Sequence, residues 1–469
     1  MLDGNVPMSA LGPFGTASHA SLADSQATVL KRMIWLYFVL LITEGALRKW
    51  IFPSLTAPLL VIRDPLVLLI YIQAVRCRRF PFSAPMVVYF LLLTGFILLA
   101  LFQMIAGIGG GPLVAIYGLR TNFLHLPLIF VIPQVFSYQD VVKFGKWMLA
   151  LSVPMTGLMI WQFMSPPDSW INAATTADAL QISFVLGKIR PAGTFSFATG
   201  AAHFFVLTTT FLIFGLVQPE ARYPRWLLGA ALVSVIVAQP VSGSRTLVLG
   251  CALIAVAALV FAILNWGRSN RIFAVAALIL ACLSVLSLTS FFREAVDTFM
   301  IRWNDVSGTE DTTARVLGWF LDPFYLLPVT GLFGKGVGLG TNAASALLTG
   351  TPQFLLAENE WARVVLEAGP LFGFSFLAYR VWVAGSMAIR AAAAGRQQHL
   401  LVWLLAWDAC RSLLNEQLSP PTQLGFMVFV SGLCLAAMPV GRSALAAERT
   451  ERSQETLRPK LRCEGQFPQ

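Results

Sequence analysis

The sequence predicts an all-α polytopic integral membrane protein of about twelve transmembrane helices, and three observations predict it. The chain of 469 residues is 57% hydrophobic and 12% charged, about half the charge of an average soluble domain. Its mean hydropathy is +0.72. The apolar residues gather into runs of about 15 to 25, the length at which a helix crosses a hydrocarbon layer about 30 Å thick. These runs exclude a cytosolic enzyme and a disulfide-rich secreted domain. An outer-membrane barrel would instead show short segments of alternating hydrophobicity.

The elements follow in order. Residues 1–30 mix Gly, Ser, Ala and Asp without apolar period and read as a disordered cytoplasmic tail. Lys31-Arg32 precede the first helix; no small-residue cleavage site precedes Glu44 to Trp50, so that helix reads as uncleaved. The predicted spans are 33–51, 57–75, 85–106, 113–135, 146–164, 195–217, 226–241, 245–264, 272–291, 366–388, 400–416 and 422–440. Nine therefore lie within 31–291 and three within 366–440. Two connections are long, 165–194 and 292–365, and both fall on the outer side. The second exceeds what a structureless connection reaches and reads as a small ordered subdomain. Residues 441–469 form a basic cytoplasmic tail.

The net charge is +10, from 33 Lys and Arg against 23 Asp and Glu. The positions of the cations give the topology. Arg76, Arg78, Arg79, Lys143, Lys146, Arg222, Arg225, Arg268, Arg271, Arg390 and Arg396 fall on alternate connections. The intervening connections 107–112 and 418–421 carry none. The positive-inside rule then places both termini in the cytoplasm. Nucleic acid is not a predicted partner, because no soluble segment interleaves a basic stripe with aromatics. The six cysteines form neither a disulfide framework nor a metal spacing. His19, His125, His203 and His399 are scattered singles, so no metal and no cofactor are predicted.

Charges inside a bilayer are costly, and each is a functional candidate with a structural alternative. Arg63 and Asp64 interrupt an apolar run before Pro65 and read as a break whose charges pair or face a cavity. Arg120 has no local acid and needs a carboxylate or a phosphate from elsewhere. Asp408, Arg411 and Glu416 lie within helical reach of one another, and Glu44 and Arg48 are spaced i, i+4; both sets read as salt-bridged faces.

The outer segments carry the chemistry. Ser242-Gly243-Ser244-Arg245 stands at a mouth where Ser244 can cap the following helix. A cation in that first turn opposes the helix dipole, which suits an arriving anion better than it suits stability. Arg302-Trp303 and the Arg315 to Trp319 stretch pair a bidentate phosphate binder with a ring that stacks on sugar faces. The Gly-rich run from Gly331 to Gly340 is not a P-loop, since Gly336 follows Lys335; it reads as a tightly turning loop near a site. In Glu358-Asn359-Glu360-Trp361, Arg363 and Glu367, a helix would place Glu360, Arg363 and Glu367 on one face at the lip of the membrane.

These residues resemble the O-antigen ligase and O-antigen polymerase superfamily of bacterial envelope glycosyltransferases, over roughly residues 190 to 385. The resemblance rests on Ser244-Arg245, on Arg315 to Trp319, on the Gly-rich stretch from Pro328, and on Asn359, Glu360, Trp361, Glu367 and Gly369. It implies a GT-C-like architecture in the bacterial inner membrane. It also implies metal-independent transfer of an undecaprenyl-diphosphate-linked glycan on the periplasmic face. A polymerase passes that glycan to another lipid-linked glycan, a ligase to lipid A core. Many ligases carry His just before the Asn-Glu-aromatic element; Glu358 holds that place here, which favours a polymerase of O-antigen or exopolysaccharide. Implied partners are membrane lipids and polysaccharide-assembly proteins such as a chain-length regulator. The roles expected from the resemblance give Arg245, Arg302 and Arg315 the diphosphate, with Arg120 as a deeper helper and Trp319 at the sugar. Glu358 or Glu360 would be the base on the acceptor hydroxyl, with Glu367 orienting Arg363. A transporter or flippase of lipid-linked glycans is the alternative of another class; it would need its polar residues at the midplane rather than the outer lip.

Overall fold

The computed structural model describes residues 14–174, 187–218, 221–265, 269–309, 312–350, 354–396 and 399–438. The predicted tail 441–469 lies outside the described residues. Among the described residues the regular elements are all helical. The main helices are α1 (Phe14–Ala46), α2 (Arg63–Arg76), α3 (Ala84–Ile105), α4 (Pro112–Leu119), α5 (Tyr138–Met164), α6 (Ala198–Val217), α7 (Arg225–Ser242) and α8 (Arg245–Leu264). They continue as α9 (Ser269–Leu286), α10 (Ser290–Thr309), α11 (Thr312–Tyr325), α12 (Asn342–Thr349), α13 (Glu360–Arg396), α14 (Leu400–Asn415) and α15 (Pro421–Ala437).

Seven segments are long and apolar enough to cross a membrane: α3, Pro112–Gln134 beginning with α4, α5, α6, α7, α8 and α13 as far as Ala394. The α9 and α10 helices bend by 104° over a short break and supply an eighth if they form one broken span. The protein is thus a polytopic helical membrane protein. The other predicted spans, 33–51, 57–75, 400–416 and 422–440, coincide with helices that do not meet the same measure of length and composition. Span 57–75 is divided into Thr56–Leu59 and α2, with Pro65 in the first turn of α2, where its missing N–H costs nothing. The first helix reaches back to Phe14, into the stretch expected as tail. Extending an existing helix costs far less than nucleating one, and the run from Ala17 to Ala27 is rich in alanine.

Helix α6 is the axis of the bundle, buried along nearly its whole length and packed by α5, α7, α8, α14 and α15. Lipid tails are as apolar as leucine, so close packing and polar links, rather than exclusion from water, must hold such helices together. Phe204, Phe205, Phe211 and Phe214 fill the interior of α6, and Gly145 of α5 leaves room for Phe211 and Tyr223. Helix α5 starts with a capping box, in which Ser137 Oγ accepts from Asp140 N–H and the Asp140 carboxylate accepts from Ser137 N–H. Lys31 Nζ also donates to Asp140 at 2.8 Å, tying α1 to α5.

The Gly-rich run serves as a packing element. A methyl group on Gly118 of α4 would fall 2.4 Å from Gly338 Cα, and one on Gly334 2.4 Å from the Glu367 carbonyl oxygen. Gly334 and Gly338 both hold positive φ, and so does Gly369 at the kink inside α13, just before Pro370. Gln103 of α3 clasps the same corner: its Nε2 donates to the carbonyls of Phe333 and Glu367, and its Oε1 accepts from Val337 N–H. Gly118→Ala is expected to cost about 1–3 kcal/mol by overpacking, read as a lowered unfolding temperature in detergent.

Candidate functional site

One mouth of the bundle is built at the turn between α7 and α8. Gly243, with φ of 60°, reverses the chain after Ser242, and α8 begins at Arg245. Ser244 occupies the N-cap position without a side-chain cap bond; its N–H donates to Ser242 Oγ at 3.2 Å. Arg302 of α10 lies across this turn, since a methyl group on Gly243 would fall 2.2 Å from its Nη1. Its Nη2 donates to the Lys188 carbonyl at 2.7 Å. The Arg245 guanidinium stands 5.9 Å from the centre of the Trp303 ring.

Arg190 completes the mouth. Burial, and then the nearby charge of Arg245, hold its guanidinium below the usual arginine range, and Arg302 lies within electrostatic reach of it. Among the described residues neither Arg190 nor Arg245 has an ion-pair partner, and Arg190 Nε is buried without a hydrogen bond. Glu294, on α10, is engaged by Lys188 at 3.0 Å. Cations gathered in this way repel one another and set up a positive field at the mouth.

The loop bearing Arg190 is held firmly. A π-helical turn, Leu47–Ile51, follows α1, a distortion common at functional sites. Its Lys49 donates to the carbonyls of Gly193 and Phe195, each at 2.8 Å, and Arg48 donates to Ser196 Oγ at 3.0 Å. Gln162 of α5 binds both the N–H and the carbonyl of Gly193. Lys49, Gln162, Asn172, Arg190, Ser196 and Thr199 border a cavity of about 60 Å³ beside the N-terminus of α6.

At the start of α13 the expected acidic face forms, and it is buried. Arg363 donates to Glu360 through Nε at 2.9 Å and Nη2 at 2.8 Å, and pairs with Glu367 at 2.9 Å. Arg380, one helical segment further on, donates to Glu360 Oε1 at 3.0 Å. Asn122 Oδ1 accepts from Arg363, and Glu367 Oε1 accepts from Gly340 N–H. Glu358 is exposed at the lip, where its carbonyl accepts from Gln417. Asn359 binds the Gly318 carbonyl, and Phe320 meets the Trp361 ring edge-on at 5.0 Å. The half-buried Trp319 therefore stands beside this junction of α11 and α13. Arg315 lies on α11, but its side chain is outside the described residues.

Arg120 is held elsewhere, in a second π-helical turn, Arg120–Leu124. Both Nε and Nη2 grip the Asp64 carboxylate, so the missing acid is Asp64. Asp64 also meets His125 Nε2 at 3.1 Å, and His125 Nδ1 lies 3.0 Å from the Tyr37 hydroxyl. Arg63 pairs with Glu44 instead, at 2.9 Å.

No family model matches the chain, and no curated protein does.

Several members of these clusters escape a reading of the sequence. Arg380 sits inside the predicted span 366–388 and carried a signal, being an unexplained intramembrane charge. Arg190 carried little, as one arginine in a loop. His203 Nε2 lies 3.0 Å from the Glu416 carboxylate and its Nδ1 lies 3.3 Å from the Arg411 guanidinium, so that it links α6 to the end of α14. Its partners lie more than two hundred residues away in the chain, which no local spacing discloses.

Proposed function

We propose that this protein is a glycosyltransferase of the bacterial inner membrane. In this reading it polymerises undecaprenyl-diphosphate-linked oligosaccharide repeat units, of O-antigen or exopolysaccharide, on the periplasmic face. The observation that carries the reading is the pair Arg190 and Arg245, without ion-pair partners, beside Trp303 at the mouth of the bundle. Cleaving a glycosyl diphosphate throws negative charge onto the leaving oxygen, and guanidinium groups fixed in advance stabilise that charge without reorganising. Arg302 then braces the turn and adds to the field, while Trp303 offers a face to a sugar.

The acceptor hydroxyl needs a base. Both oxygens of Glu360 are committed to Arg363 and Arg380, and the residue is buried, away from an arriving acceptor. Exposed Glu358, two residues earlier, takes the catalytic role, and Glu360, Arg363 and Glu367 hold the lip in shape.

A strain lacking the protein tests this through the gel profile of its surface and lipid-linked glycans. Loss of long chains, with single repeat units still carried on lipid or acceptor, is the expected result. Full-length polymer accumulating on the lipid diphosphate would make the protein a ligase, and an unchanged profile would overturn both and favour transport.

A further inference from the structure

At the end of the bundle opposite the candidate site, a cavity of about 570 Å³ opens between α3, α13 and the segments around Phe130 and Met438. From Gly369, beside the site, to Arg390 at this cavity, α13 rises about 32 Å, the thickness of the hydrocarbon core. The cavity wall is apolar, with Phe130, Pro133, Met387, Leu435 and Met438 among its residues. The rim is cationic. Arg390 lines it, and Arg79 reaches it by donating to the carbonyl of Gln134, another lining residue, at 2.8 Å. Both arginines are exposed, and among the described residues neither has a carboxylate partner. Asp140, in the first turn of α5 after the Gln134 segment, is occupied by Lys31 and Ser137. The positive end of α3 points the same way, for Ser83 caps it with no side-chain bond and Pro85 stands in its first turn.

We infer that this groove is a binding site for an anionic glycerophospholipid, whose phosphate lies between Arg79 and Arg390 and whose acyl chains lie along the apolar wall. The chemistry of the two parts selects the occupant. An apolar trough continuous with lipid-facing residues such as Phe82 and Ile389, which are 86% and 74% exposed, suits acyl chains. Two guanidinium groups at its edge, without carboxylate partners among the described residues, distinguish a net negative headgroup from a zwitterionic one. The site is independent of the glycosyltransferase reading and stands even if that reading fails.

The test is native mass spectrometry of the full chain in detergent, titrated with dioleoyl phosphatidylglycerol or dioleoyl phosphatidylcholine. Phosphatidylglycerol should bind the tighter of the two. In the double variant Arg79→Gln, Arg390→Gln that binding should fall by about fivefold per cation, or about twenty-five-fold for both. The charge-conserving Arg79→Lys, Arg390→Lys variant should retain most of it, which separates loss of charge from loss of fold. Ala393→Trp, at an exposed lining position, fills the trough and leaves the rim cations alone, and should weaken both lipids. Equal binding of the two lipids by the unaltered protein, or undiminished phosphatidylglycerol binding by the Gln variant, would overturn the inference. Preferential displacement of phosphatidylglycerol by undecaprenyl phosphate would overturn the choice of occupant.

Discussion

Replacing Arg190 and Arg245 together with alanine is expected to lower polymerisation by about 10²–10³-fold or more, the loss typical of removing a single fixed donor at a developing oxyanion. Stability is expected to move the other way. The two guanidinium groups repel each other, and burial of Arg190 adds to the cost. The double variant should therefore unfold no earlier than the parent in detergent without substrate, a trade of activity against stability common at binding sites. Arg245→Lys should recover only part of the activity, because an ammonium cannot take a diphosphate in bidentate fashion. The measurement is elongation of a lipid-linked repeat unit by purified protein, beside a thermal unfolding curve. Elongation within twofold of the parent rate would refute the assignment.

The second large effect separates two glutamates two residues apart. Glu360→Ala leaves Arg363 and Arg380 facing each other in a buried space. Removing one member of such a buried ionic set costs about 3–5 kcal/mol, because the charges left behind remain desolvated. The variant should show a sharply lowered unfolding temperature and poor accumulation in membranes. Glu358→Gln, at an exposed position, should leave the unfolding temperature unchanged while lowering elongation by about 10²–10⁴-fold, the range for loss of a general base. If Glu360→Ala instead folds normally and is inactive, the two roles must be exchanged.

Helical class, the course of most spans and the local ion pairs were legible in the sequence. Glu360, Arg363 and Glu367 meet because helical geometry puts residues three and four apart on one face, and Asp408 with Arg411 obeys the same rule. Adjacent residues do not share a face, which is why Arg63 and Asp64 ignore each other and find Glu44 and Arg120. Those partners depend on how α1, α2 and the broken span after α4 lie together, and spacing is silent on that. The Gly-rich run was legible as tight turns. Its contacts with Gly118 and with the α13 kink were not, because only a folded neighbour reveals which glycine lacks room for a methyl group. The mouth itself was half legible: Arg245 and Arg302 announced themselves beside Ser244 and Trp303, whereas Arg190 gained meaning only when the loop anchored by Lys49 and Gln162 brought it alongside.

The corner where α3, the Gly-rich run and α13 meet also has a mechanical consequence. Backbones that touch at glycines, with Gln103 bonded to three backbone groups on the two other segments that cross there, cannot slide without collision. That corner works as a fixed abutment. The end of α3, the Gly-rich run and the start of α13 therefore move as one piece or not at all, and Glu360, Arg363 and Glu367 keep their places with them.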